Sequence, residues 1–556
     1  MLRLRITESI RAVARSHIAN VRIATLVLCS LCFLATAVPV RARQAADDSK
    51  DMIGWVPREI LERPLPLRQG IGVVHEKVTT SSPDAQAYYD QGVAYVHSFV
   101  WIEAARSFNQ ALRLDPSLAM ADLGLSDVYI GLQDVHAARA AFDKAQSLSG
   151  QLSAQEKARI TIRARQLDYL DGNGDMQKYF AYRQAIADAL AVDPGNSWLW
   201  ILRGFADEGT PFGHGQGGHS DTVAFYDAAL ASAPDSFVPH HYLAHTFENM
   251  GLAKLALEQS EIYVRLAPAI PHAHHMRGHD LRQLGRTDEA IQEFVKTNEL
   301  ENAYYKAENI PARYDWHHAH NLTLLAMSYQ SLGQMKAAES AFREAYSMPA
   351  YSDLAEFNRR SWPEFLLDRG RPQEALEQSQ DLIGSKWALA RFAGHTVAGR
   401  ALLALNRTDD AKLELSLAEQ ESEKISSAVL ALLPNAGALN AEILLREKNW
   451  DRANPLMNQI EDKIHMVPGP DAWCEALFEL ESIAKVAQQV GDWDLAESTA
   501  KKMIQHDPTY AGGHYIMGAV AEHRGDGAEA KQEFATADRL WSKADPDAKP
   551  HVGQNP

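Results

Sequence analysis

The sequence predicts an all-α chain: a right-handed α-solenoid of about ten or eleven helix-turn-helix units, some degenerate, behind an N-terminal signal sequence. Three observations predict it. Small, aromatic and proline positions recur with a period of 34 along the 556 residues, strand-like alternation is scarce, and the chain opens on a basic segment followed by an apolar one. A single pair of short helices cannot bury its apolar face, so such units must stack, leaving one concave and one convex surface.

The opening segment comes first. Arg3, Arg5, Arg11, Arg15 and Arg22 precede the apolar run IATLVLCSLCFLATAV, the layout of a secretory signal. The run is shorter than the roughly 20 residues a spanning helix needs. Small residues at Ala35 and Ala37, or Ala42 behind Val40, predict cleavage after Ala37 or Ala42; an uncleaved membrane anchor is the alternative. Cys29 and Cys32 each follow a leucine, which argues against a lipid anchor. Removing residues 1–42 takes away six Arg and one Glu and carries the formal charge from −17 to −22. An acidic surface of that size argues against nucleic acid and anionic lipid as partners. It also leaves Cys474 alone, so stability must come from packing without an intramolecular disulfide.

The repeats follow. In AQAYYDQGVAYVHSFVWIEAARSFNQALRLDP, residues Gly92, Ala104, Phe108, Ala111 and Pro116 stand at spacings that resemble a tetratricopeptide repeat of 34 residues. Gly92 and Ala104 let two helices approach, Phe108 fills the space between them, and Pro116 ends the second. The frame returns at Ala138, Phe142 and Ala145, at Gly278, Ala290 and Phe294, and at Gly518, Ala530, Phe534 and Ala537, with weaker copies between. The organisation read from this is a signal segment (1–42), an N-terminal extension (43–84), an N-terminal array (85–345), a C-terminal array (346–545) and a disordered tail (546–556).

Two insertions break the period. TPFGHGQGG adds about eight residues after Trp198, and ENAYYKAENIPARYDW adds fourteen, since Gly251 to Gly285 is 34 and Gly285 to Gly333 is 48. Insertions in solenoids gather on one face and modify it. These two flank the histidine-rich repeats.

HHYLAHTFENMG, from His240 to Gly251, aligns without a gap on HHMRGHDLRQLG, from His274 to Gly285. In that register His240 and His274 face the partner helix and are expected to hydrogen-bond within their repeats. His241, His245, His275 and His279 face the groove, and His272 lies at its edge. His320 is 48 residues after His272 and takes the equivalent place beyond the insertion. Histidines four apart have Cβ atoms roughly 6 Å apart and can share one ion; first helices of successive units pack about 8–10 Å apart, so two pairs can converge. The candidate metal ligands are therefore His241, His245, His275 and His279, with His272 and His320 at the edge. Imidazoles without a nearby cysteine suit zinc or copper(II) better than calcium or magnesium; Met250 and Met276 leave copper(I) open. The same register positions further on are Arg360 and Glu364, so the histidines form a local block.

Other histidines carry less. His214 and His219 stand in the glycine-rich insertion, His97 near the groove end of its helix, His75 ahead of the first repeat, and His317 and His318 at the end of the second insertion. GHGQGGHS lacks a phosphate-binding lysine, and no serine, cysteine or zinc-protease signature is present.

Beyond the generic repeat, GIGVVHEKVTTSSPDAQAYYDQG resembles the opening of a group of exported bacterial tetratricopeptide-repeat proteins that share G-x-x-H-x-x-V-T-T and A-Q-x-Y-F-D-Q-G. The same group is similar over helices like HHYLAHTFE, HHMRGHDLR and HHAHNL, so the likeness covers roughly residues 70 to 335. It implies an α-solenoid with a shared histidine constellation at His241, His245, His275 and His279, and names no activity. The expected function is an exported scaffold whose groove binds a protein or peptide and whose histidine cluster binds a transition metal. A metal-dependent enzyme, with Asp280, Glu248 or Asp207 as acid or base, and a pH-sensitive binding module without metal are the alternatives.

Overall fold

The computed structural model describes residues 52–172, 175–208, 217–433, 437–466, 469–546 and 548. The signal segment and nearly all of the tail lie outside them. Among the described residues, twelve helix pairs run in succession, from Pro83–Val96 with Trp101–Leu114 to Ala511–Arg524 with Gly527–Leu540. The pairs that matter most below are Val238–Asn249 with Ala253–Leu266, Pro271–Gln283 with Thr287–Glu308, and Trp316–Ser331 with Met335–Ser347. The only sheet there is a two-stranded hairpin, Met52–Ile53 against Val56–Pro57. No described helix is long and apolar enough to cross a membrane.

One turn device sets the period. In ten pairs the residue between the helices is left-handed: Gly251, Gly285, Gly333, Gly370, Gly491 and Gly525, and also Phe99, Gln133, Asn406 and Lys448. Behind each, the following N–H reaches back five residues, as Leu252 N to Phe247 O at 2.8 Å and Arg286 N to Leu281 O at 2.9 Å. That bond satisfies a carbonyl the helix end would leave bare. Four of these turns carry side chains in place of the glycine, and the repeat frame survives there through the small and aromatic positions of the flanking helices.

Within a pair, the aromatic of the second helix rests on a glycine of the first. A Cβ at Gly92 would stand 2.6 Å from Phe108 Cε1, one at Gly278 2.6 Å from Phe294 Cε1, and one at Gly518 2.7 Å from Phe534 Cδ1. Phe108 and Phe294 are each 1% exposed, so neither ring has room to retreat.

The superhelix closes on itself around the central repeats. The N-terminal extension crosses to them: Gly70 O accepts from Ala269 N at 2.8 Å, Trp55 stacks on Tyr351 at 4.5 Å, and Arg106 donates to Arg63 O, Pro64 O and the Glu308 carboxylate. The C-terminal repeats return from the other side: Arg282 donates to Asp507 at 3.0 Å, and Asp545 N donates to Gly333 O. One apolar cluster runs from Leu257 to Cys474 across both arrays.

The glycine contact is open to test. Gly92→Ala is expected to cost about 1–3 kcal/mol through overpacking. Gly527→Ala, where a Cβ meets nothing within 4 Å, is expected to leave the thermal midpoint near the parent's.

Candidate metal centre

The first helices of the three central pairs carry the candidates, and the structure sorts them into two triads. His241, His245 and His272 offer nitrogens that all lie within 4.8 Å of one another, and so do His275, His279 and His320; a third group, His272, His275 and His317, lies between. All six sequence-predicted ligands are thus brought together. His241, His272 and His275 are 0%, 3% and 0% exposed, and His245 and His279 are also buried. His272 is a correction: it was placed at the groove edge and stands in the middle. The cause is closure of the superhelix, which sets Phe99, in the turn of the first pair, against the rings of His241 and His272 at 4.8 and 5.0 Å. His320, with its side chain 25% exposed, is the edge.

The far nitrogens determine what the near ones can do. His241 Nδ1 lies 2.7 Å from His97 O, a carbonyl that can only accept, so this nitrogen carries the proton and Nε2 carries the lone pair. His317 Nδ1 lies 2.6 Å from Glu301 and so donates to it; His317 Nε2 then accepts from His272 Nδ1 at 3.1 Å. That leaves His272 Nε2 as a lone pair as well. His245 Nδ1 stands 3.4 Å from one Glu248 oxygen and His279 Nδ1 3.3 Å from the other, an ion-pair separation without hydrogen-bond alignment. His275 Nδ1 donates to Asn321 Oδ1 at 3.0 Å, an oxygen identified by Asn321 Nδ2 donating to Phe294 O.

The lone pairs of His241 and His272 therefore converge, with His245 Nε2 beside them. His241 Nε2 is 3.1 Å from His245 Nε2 and 3.0 Å from His272 Nε2. Zinc-bound nitrogens at about 2.0–2.1 Å from the ion stand about 3.3 Å apart when tetrahedral, so both separations need to open by only about 0.2–0.3 Å to admit one. In the second triad, His275 Nε2 and both nitrogens of His279 are buried without a hydrogen-bond partner. An orphaned buried nitrogen is costly unless something binds it.

The electrostatics match neutral ligands backed by carboxylates. Burial, then His245, hold His241 well below the ordinary imidazole range. Burial and neighbouring imidazoles do the same for His272 and His275. Burial is the main cause that lowers His320 to about 4, against the raising effect of Asp471. Burial raises the Glu248 carboxyl, but the imidazoles of His245 and His279 outweigh it and bring it to about 2. Carboxylates behind metal-bound imidazoles orient the ring and raise its basicity.

The remaining candidates fall elsewhere. His240 and His274 bond within their repeats, to Gln259 and Glu293 at 2.7 Å each; His395 and His514 brace Glu414 and Glu533 over the same separation of 19. His219 caps the helix Ser220–Ser232 through Asp221 N, His75 pairs with Asp90, and His214 lies outside the described residues. Met276 is core. Asp207 is held by Arg183 and Arg203. Asp280 accepts from Ser260 at 2.5 Å, and burial, then Glu248, push its carboxyl well up.

Sequence reading missed Glu301, which bonds His317 and His318, and gave His317 no weight. The insertion lengthens Thr287–Glu308 to 22 residues and starts the next helix at Trp316, ahead of the repeat frame. His317 therefore has no counterpart 34 residues away.

A cleft in the C-terminal array is lined by Arg360, Glu364, Asp368, Arg400, Glu475 and Glu479. Arg360 pairs with Glu475 at 2.6 Å and stands 3.6 Å from Glu364. Four carboxylates meet two guanidinium groups there.

A tetratricopeptide repeat family pattern matches residues 319–350. The helix pairs and their turns form an α-solenoid, and one of its repeats carries the tetratricopeptide pattern. No curated protein matches the sequence significantly. Among solved structures the chain is similar to the human IFIT1 dimer with PPP-AAAA, at 13% identity over 83% of this chain and 91% of that one, TM-score 0.37. It is also similar to a tetratricopeptide repeat protein from Parabacteroides merdae, at 15% over 49% and 96%, TM-score 0.34. A third is the apo form of the quorum sensor NprR from B. thuringiensis, at 12% over 77% and 98%, TM-score 0.36.

Glu248 touches both triads and His274 neither, which separates two outcomes. Glu248→Gln is expected to weaken zinc binding about 10- to 100-fold in a competing-chelator titration. His274→Ala is expected to leave metal affinity unchanged while lowering stability by about 1 kcal/mol.

Proposed function

We propose that this is an exported scaffold whose central repeats bind a transition metal, zinc or copper, and whose concave surface binds a protein or peptide. The observation that carries the metal reading is the convergence of His241, His245 and His272 through their Nε2 atoms, with acceptors behind His241 and His317 that direct the lone pairs inward. Three imidazoles suit zinc or copper(II), which take nitrogen ligands, over calcium and magnesium. Export is supported by the basic and apolar order of residues 3–38.

Partner binding is supported by the repeat architecture and by the C-terminal cleft. Its surplus of carboxylates favours a partner presenting an ammonium or guanidinium group. Arg360 and Glu364 occupy the register positions that hold His275 and His279 two first helices earlier. The groove-facing row thus passes from histidine to paired charge.

The metal reading is tested by elemental analysis of untagged protein after reconstitution with zinc or copper(II) and desalting. Bound metal is expected, and less than about 0.2 equivalents would overturn the reading, because buried three-histidine sites retain metal through desalting.

The cleft predicts a pH dependence. Burial is the largest influence on Glu364; Arg360 pulls its carboxyl down, Glu479 and Glu475 push it up, and it reaches about 8 from an ordinary 4.5. The folded state thus keeps a proton that the unfolded state releases. This stabilising contribution is complete below pH 4.5 and is lost as pH rises to about 8. The side chain is 21% exposed, so solvent limits its size. Glu364→Gln is expected to melt above the parent at about pH 9 and level with it at about pH 4, in thermal scans across that range.

A further inference from the structure

We propose that the histidine cluster holds two ions at once: a buried ion on His241, His245 and His272, and an exchangeable ion on His275, His279 and His320. The inference rests on the metal-binding reading above and adds its stoichiometry, its division between residues and its order of exchange.

The nitrogens divide without sharing. The first triad uses the Nε2 atoms of His241, His245 and His272, the latter two 3.1 and 3.0 Å from the first. In the second triad, Asn321 takes His275 Nδ1 and Glu248 faces His279 Nδ1. Asp471 stands 3.6 Å from His320 Nδ1, which leaves Nε2 of that ring for the site. The buried Nε2 atoms of His275 and His279 have no partner. The intermediate group of His272, His275 and His317 is not a third site. Two of its nitrogens, His272 Nδ1 and His317 Nε2 at 3.1 Å, already share the proton that Glu301 directs by accepting from His317 Nδ1. Two three-nitrogen sites remain, with a hydrogen bond between them in place of a ligand.

Charge supports double occupancy. Two divalent ions on six neutral imidazoles need anions, and Glu248, Glu301 and Asp471 stand behind His245 and His279, His317, and His320 respectively. Glu248 places one oxygen behind each triad. A single carboxylate between two cation sites is better compensated when both are filled.

The triads differ in access. His241, His245 and His272 lie at 0%, 7% and 3% exposure, covered by Phe99. The second triad reaches solvent at His320, whose side chain is 25% exposed. Each ion has three protein ligands, the number that leaves a fourth position for water or a small ligand. Only the second can exchange that ligand without displacing the first helix pair.

The experiment uses the full chain, freed of metal, reconstituted with zinc and desalted, then mixed with a chromophoric chelator. Two equivalents are expected, one released fast and one slowly. His320→Ala is expected to lose the fast equivalent alone, and His245→Ala the slow one, with circular dichroism reporting the fold. One equivalent per chain would overturn the two-ion inference and leave the metal-binding reading standing. No bound zinc or copper(II) would overturn both. Two equivalents released in a single phase, or loss of both in folded His320→Ala, would overturn the division into triads. Should His245→Ala fail to fold, His245→Gln replaces it, with loss of the slow equivalent expected.

Discussion

A buried imidazole has two ring nitrogens to satisfy, and much of the centre of this protein exists to satisfy one of each and leave the other bare. The acceptors come from far along the chain. His97 O belongs to the first helix pair, Glu301 to the inserted turns of Thr287–Glu308, Asn321 to the next first helix, and Asp471 to the C-terminal array. An open solenoid supplies contacts only between neighbouring repeats. Closure of the superhelix is therefore the condition for the site. The Arg106 contacts to Arg63, Pro64 and Glu308, and the Arg282 to Asp507 pair, belong to its geometry as much as the histidines do.

The second insertion shows how local length becomes chemistry. Fourteen extra residues lengthen one helix until Glu301 sits beneath His317 and His318 and Glu308 reaches Arg106 and Arg68. The same segment thus completes a proton-ordering chain, Glu301 to His317 to His272, and ties the first repeat to the sixth. Burial alone raises the Glu301 carboxyl; the two imidazoles it accepts from outweigh that and lower it. Each group stabilises the charge state the other requires, which is how a buried carboxylate is kept ionised.

The fold was legible wherever one residue type had one steric reason. Gly92 and Phe108, or Gly278 and Phe294, are read from spacing because no other pair lets the helices approach so closely. The turns at Phe99, Gln133, Asn406 and Lys448 were not legible. A left-handed residue with a side chain costs roughly 1–2 kcal/mol and is held there by backbone hydrogen bonds that leave no composition signal. At the site, repeat register correctly pairs His241 with His245 and His275 with His279. It could not show that His272 joins the first pair and His320 the second, nor that Phe99, in the turn of the first helix pair, covers His241 and His272. Those facts depend on the path of the superhelix, which register between neighbours does not contain.

The same constraint separates the metal reading from a proton switch. A histidine switch near neutral pH needs a ring that is charged on one side of its range and neutral on the other. His241, His272 and His275 lie well below that range and His320 near 4, so near neutrality these rings have no proton to release. His318 is moved the other way: burial lowers it, but Glu301 outweighs this and raises it. It stands behind the cluster and is not a member of either triad. What the rings can give is a lone pair, and six of them stand in two groups of three whose nitrogens lie within 4.8 Å of one another. The cleft of the C-terminal array offers a different chemistry, carboxyl groups set against the Arg360 and Arg400 guanidinium groups. Along one groove-facing row the chain therefore changes from clustered imidazoles to clustered carboxyl and guanidinium groups. Metal and partner can occupy separate parts of the same solenoid.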